Sequence, residues 1–153
     1  MARWLYGIVY LVAAVCVLSL TGQAQSPYPR WAGGSLQIRG YDTTAYFQAG
    51  QATRGTASHQ VKWNGGTWQF RSAKEAAQFK ASPARFTPRF GAYCTGGLSQ
   101  QHVVNGNPTI WRMHKGRVYL FYAQAGARRF DRNPEGVIAA ARAYAKTVGI
   151  KEN

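Results

Sequence analysis

The sequence predicts a single small α+β domain, with two β-hairpins packed against several short helices and a C-terminal helix. Three observations carry that prediction. Two pairs of short runs alternate apolar and polar residues around glycine-containing turns. Two later stretches open on helix caps and repeat apolar residues at helical spacing. The strands stay within hairpins, segregated from the helices.

The N-terminus reads as a secretory signal peptide over residues 1–24. Arg3 is its positive end, Leu5 to Leu20 is uncharged and mostly apolar, and Gly22 and Ala24 are the small residues before cleavage at Gln25. No arginine pair precedes the run, which points to the Sec route rather than the twin-arginine one. An uncleaved anchor is the alternative. The run is shorter than the ~20 residues a membrane span needs, which favours cleavage. The expected address is periplasmic or secreted. Cleavage removes Cys16 and leaves Cys94 as the only thiol, so no disulfide forms within the mature chain.

Residues 25–37 hold Pro27, Pro29, Gly33 and Gly34 and read as a flexible lead. The domain is expected over residues 38–149, with residues 150–153 as a tail. No internal repeat or low-complexity tract stands out. Asp42 is placed to cap a short helix, Thr43 to Ala49, closed by Gly50. Val61 and Trp63 then alternate with Lys62, and Trp68 and Phe70 with Gln69. Two turns fit this hairpin, one at Asn64-Gly65 and one at Gly65-Gly66. Ser72 and Glu75 form a capping box for the next helix, which buries Ala76 and Phe79 and ends at Pro83. The second hairpin runs from Thr109 to Tyr122 around Lys115-Gly116. Its register sets Met113 against Val118 and Trp111 against Leu120 on an apolar face. Arg112 and His114 face Tyr119 and Arg117 on the other. Ala123 to Arg132 is weakly helical. The last helix is capped by Asn133, starts at Pro134, carries Glu135 in its first turn and buries Val137, Ala141, Tyr144 and Val148.

The formal charge is +14, with five acidic residues in the whole chain. That excess concerns partners rather than fold. An exported protein seldom meets nucleic acid and no nucleic-acid motif is present, so nucleic acid is not the expected partner. Anionic envelope surfaces and protein partners are. The basic residues are dispersed, and only Arg128, Arg129 and Arg132 group tightly. Carboxylate-pair catalysis needs two acids at a set separation. Here Glu75 and Glu135 serve helix starts, Glu152 lies in the tail, and Asp42 is a cap. No Gly-x-Ser-x-Gly elbow supports a serine hydrolase.

Several motifs occur in a fixed order. Asp42-Thr43-Thr44-Ala45-Tyr46-Phe47 comes first, preceded by Gly40-Tyr41. The hairpin then leads into Phe70-Arg71-Ser72-Ala73-Lys74-Glu75, and Phe79 to Phe86 contains Ser82-Pro83. Gly91-Ala92-Tyr93-Cys94 and the strands from Trp111 to Tyr122 complete the set. This order resembles the YHS domain family, and within it an exported branch lacking the usual metal-binding cysteines. The resemblance covers about residues 38 to 146. It implies a small α+β module with a history of metal handling. The family's cysteine positions are Ala45, Arg71 and Glu75 here, and a methionine position is Phe47.

Cys94 is the foremost candidate site residue. As a free thiol it is a buried small apolar side chain, a soft-metal ligand suited to copper or zinc, or a reactive thiolate. His102, in the polar loop after it, is the candidate second metal ligand. Met113 and His114 sit on opposite faces of one strand, which keeps them from sharing an ion; Met113 is expected in the core and His114 exposed. His59 is expected to pack at a strand edge. Trp63, Trp68, Phe70, Trp111 and Tyr122 are expected on inner faces, and Tyr41, Tyr46 and Tyr93 on a pocket rim. The expected function is that of an exported binding module taking a soft metal ion at Cys94. The alternatives are a metal-free scaffold for a protein or an anionic envelope surface, and an enzyme using the Cys94 thiolate.

Overall fold

Both hairpins form in the register their turns dictate. β1 (Thr56–Trp63) pairs antiparallel with β2 (Gly66–Phe70), Trp63 opposite Gly66, so the turn is Asn64-Gly65. Both turn residues have positive φ, 49° and 78°, the conformation that Asn-Gly tolerates. β3 (Asn107–His114) pairs with β4 (Arg117–Phe121) with Met113 opposite Val118 and Trp111 opposite Leu120. Each hairpin is its own two-stranded sheet. The computed structural model describes residues 36–152; the segment read as a signal peptide, Cys16 and most of the stretch read as a lead lie outside the described residues. No helix among the described residues is long and apolar enough to cross a membrane.

Among the described residues, six α-helices surround the hairpins: α1 (Ala45–Gln48), α2 (Ala73–Ala81), α3 (Pro83–Phe86), α4 (Thr95–Leu98), α5 (Gln124–Arg132) and α6 (Pro134–Thr147). Asp42 accepts the Thr44 N–H ahead of α1. Ser72 accepts the Lys74 N–H and donates its hydroxyl to Glu75, a variant of the capping box that still satisfies the helix start. Asn133 accepts the Gly136 N–H at 2.9 Å at the start of α6. The buried stripe of α6 is Val137, Ile138, Ala141 and Ala145. Val148 is exposed, because the helix ends at Thr147 and Gly149 turns the chain away at φ 72°.

The fold contains an internal repeat that no extended sequence identity announces. A left-handed turn at Ile38-Arg39-Gly40 precedes Tyr41, and another at Phe90-Gly91-Ala92 precedes Tyr93. Gly55 donates its N–H to Gly40 O, and Gly106 donates to Ala92 O. Each hairpin breaks register once, between Thr56 and Gln60 and between Asn107 and Trp111. Nine-residue helices follow both, α2 and α5. Each ends two residues before a proline, Pro83 or Pro134, that starts the next helix. Ring contacts repeat as well. Phe79 touches Trp63, Trp68 and Phe70 at 5.8, 5.3 and 4.9 Å. Phe130 touches His114, Tyr119 and Phe121, which hold the equivalent places, at 5.8, 5.1 and 5.2 Å.

β4 lies between two cores. Val118 and Leu120 join Trp68, Phe70 and Phe79 in the first, while Tyr119 and Phe121 join Phe130, Val137 and Ala141 in the second. The Tyr119 face, which also carries His114, is thus covered, and this corrects the expectation that His114 is exposed: its side chain is 23% exposed. Phe130 of α5 covers that face, so His114 packs edge-on against the Phe130 ring and pairs with Glu135 at 2.9 Å. Met113, expected in the core, is instead exposed, although its cross-strand partner Val118 is fully buried. Leu36 bridges to Thr67 and Gln37 is buried, so ordered packing includes the end of the lead.

Candidate functional site

The repeat gives Cys94 a physical context that its sequence neighbours do not. In the first half, the fully buried Asp42 carboxylate accepts from the Thr44 N–H at 2.9 Å and the Thr44 hydroxyl at 2.6 Å. It also accepts from the Arg71 backbone N–H at 3.0 Å and Arg71 Nε at 3.2 Å. Cys94 occupies the equivalent position in the second half. Its Sγ accepts the Gly97 N–H and the Tyr122 N–H, both at 3.1 Å. The main chain repeats too: Asp42 donates its N–H to Thr53 O and Cys94 to Val104 O, each at 2.8 Å. Gly96 and Tyr122 stand where the first half has Thr44 and Arg71. The thiol thus ties the start of α4 to the end of β4, and Cys94 is 4% exposed.

His102 is exposed on the loop after α4. That loop folds back: the His102 N–H donates to Gly97 O at 2.9 Å. Among the described residues, no group of three His, Cys, Asp or Glu side chains is gathered for a metal. Any ion at Cys94 and His102 would therefore need ligands of another kind.

Beside Cys94 lies a cleft of about 400 Å³ lined by Arg39, Val103, Val104, Asn105, Asn107 and Tyr122. Two of these residues, Val104 and Tyr122, hydrogen-bond to Cys94 through their backbones. Tyr122, expected on an inner face, is 66% exposed. It follows the last ladder residue, and its N–H turns to the Cys94 sulfur rather than to a neighbouring strand. The sequence signal for this cleft was the Val103-Val104 pair inside an otherwise polar loop.

The three tyrosines fall into two settings. Tyr41 and Tyr93 are equivalent, half-buried residues that follow the two left-handed turns. The Arg54 guanidinium stacks over the Tyr41 ring at 4.8 Å, and burial raises the Tyr93 phenol above its usual range. Tyr46 belongs to the first core. Its hydroxyl donates to Pro108 O at 2.8 Å, its ring packs against Trp111 at 5.1 Å, and burial pushes its phenol well up. His59 is half-buried on β1.

All five carboxylates are paired with cations. Asp42 and Glu75 pair with Arg71, Asp131 with Arg112, Glu135 with His114 and Lys115, and Glu152 with Arg89 and Arg142. A hydrogen bond from Arg112 lowers the Asp131 carboxyl. Hydrogen bonds from Lys115 and then His114 bring Glu135 down to about 2. The positive excess has no further carboxylate to balance it. Comparison of the chain with protein-family models, curated proteins and solved structures finds no match.

Proposed function

We propose that this chain is an exported YHS-like binding module that attaches to an anionic envelope surface through its basic exterior. The observation that carries this reading is the pairing of every carboxylate within the fold, against a formal charge of +14. Each basic side chain near an anionic membrane contributes about 1 kcal/mol, and the attraction decays within a Debye length of roughly 10 Å at 0.1 M salt. Attachment should therefore sum over many dispersed cations and weaken steeply with salt. Co-sedimentation with vesicles containing phosphatidylglycerol is expected at low salt, with release at about 0.5 M and no attachment to purely zwitterionic vesicles. Attachment indifferent to added salt would remove this reading.

A second reading keeps a soft metal ion, copper or zinc, at Cys94. The return of the His102 loop over α4 favours it, since His102 is bonded through its backbone to the residue that caps onto the thiol. Metal stoichiometry under reducing conditions tests it. One ion bound by the parent and none by Cys94→Ser supports a Cys94 site; no ion in either ends the idea.

A further inference from the structure

The second half of the repeat carries a charge cluster that the first half lacks. In the first half, the Gln37 side chain lies directly on Gly66, where an added Cβ would come within 2.5 Å of it. The equivalent positions in the second half are Arg89 and Arg117. Two guanidiniums replace a neutral contact, close enough that burial and the Arg89 charge together hold Arg117 below its usual range. α6 contributes Arg142, and Tyr119 of β4 lies in the field of all three cations.

Among the described residues, one carboxylate answers these three guanidiniums. Gly149 turns the chain back after α6, and Ile150 donates its N–H to Ala145 O at 2.9 Å. That reversal delivers Glu152 to Arg89, with which it is hydrogen-bonded, and to Arg142, whose Nε and Nη2 both donate to it, the latter at 3.0 Å. Burial raises the Glu152 carboxyl, but hydrogen bonds from Arg142 and Arg89 outweigh it and hold the group ionised. Arg117 donates Nη1 to Ala84 O at 3.2 Å. Arg89 Nε is buried with no hydrogen-bond partner. Among the described residues the cluster is therefore short of negative charge, and Arg89 Nε is short of an acceptor. A carboxylate supplies one charge and two oxygens. A phosphate group supplies up to two charges and at least three oxygens, in a geometry that guanidinium forks match.

We propose that Arg89, Arg117 and Arg142 form a binding site for a phosphate group, with Glu152 as the anion that occupies it in the absence of ligand. The site does not depend on the dispersed surface charge, so titration with inorganic phosphate reads it without any membrane. The phosphate is either free or the exposed phosphomonoester of a lipid headgroup, and the chemistry of capture is the same.

Calorimetric titration of the full chain with inorganic phosphate tests this. Glu152→Gln removes the competing charge and is expected to tighten binding about tenfold; Arg142→Gln is expected to weaken it about tenfold. Arg142 is more than half exposed and Glu152 lies beyond the last helix, so neither substitution disturbs the cores. Asp131→Asn is the control, because it changes net charge equally but removes a carboxylate paired with Arg112 instead. Equal gains in Glu152→Gln and Asp131→Asn would overturn the site, as would no phosphate binding in the parent or in Glu152→Gln. Vesicles of phosphatidylcholine carrying phosphatidic acid or phosphatidylglycerol separate the two sources. A Glu152→Gln gain confined to phosphatidic acid, and reversed by inorganic phosphate, assigns the lipid headgroup. A gain with inorganic phosphate alone assigns the free anion.

Discussion

Replacing Asp42 with alanine is expected to destabilise the fold by about 3–5 kcal/mol. The carboxylate is fully buried and accepts four hydrogen bonds, two from Thr44 and two from Arg71. Its loss leaves the Thr44 and Arg71 backbone donors without their acceptor and strips Arg71 of its buried counter-ion. Arg71→Ala should cost less, about 1 kcal/mol, because that side chain is a third exposed and its charge is partly solvated. The double substitution should cost less than the sum of the two, since both remove the same contact. Equilibrium urea unfolding of the three variants measures this. A loss below about 1 kcal/mol for Asp42→Ala would show that the network only decorates the turn between the Gly40 bend and α1.

Phe79→Ala and Phe130→Ala are expected to destabilise by similar amounts, about 3–5 kcal/mol each. Each ring is the shared packing partner of three others at equivalent positions in its half. Aromatic contacts add roughly 0.5–1.5 kcal/mol beyond burial, so neither cavity is readily refilled. Phe130 should fall at the lower end, because one of its three neighbours is the partly exposed His114 rather than a tryptophan. Urea midpoints for the two variants test the equivalence of the halves. A Phe130→Ala loss several-fold smaller than that of Phe79→Ala would mean that the second core is only a cover on the first.

Several features of this protein were decided by the sequence alone, and each is local. Lys115-Gly116 set the register of the second hairpin, and Asn133-Pro134 set the start of α6, because a two-residue turn or a helix cap depends on adjacent residues. The α+β class followed from the same short-range signals. Where two local solutions competed, at Asn64-Gly65-Gly66, the cross-strand pairing chose Asn64-Gly65, with Trp63 opposite Gly66.

Tertiary structure decided what depends on distant partners. Tyr122 reads as inward by alternation, yet its N–H leaves the ladder for the Cys94 sulfur, and its ring turns outward. Tyr119 reads as outward, yet α5 and α6 close over it. The repeat was hidden because its two halves share geometry more than residues: a carboxylate at Asp42 and a thiol at Cys94 accept the same kind of backbone donors. Glu152, in a tail without local pattern, reaches Arg89 only because Gly149 reverses the chain after α6. Periodicity reports which face an isolated element buries. It carries no record of which element will cover the other face, and that is settled by chain reversals and packing between residues far apart in sequence.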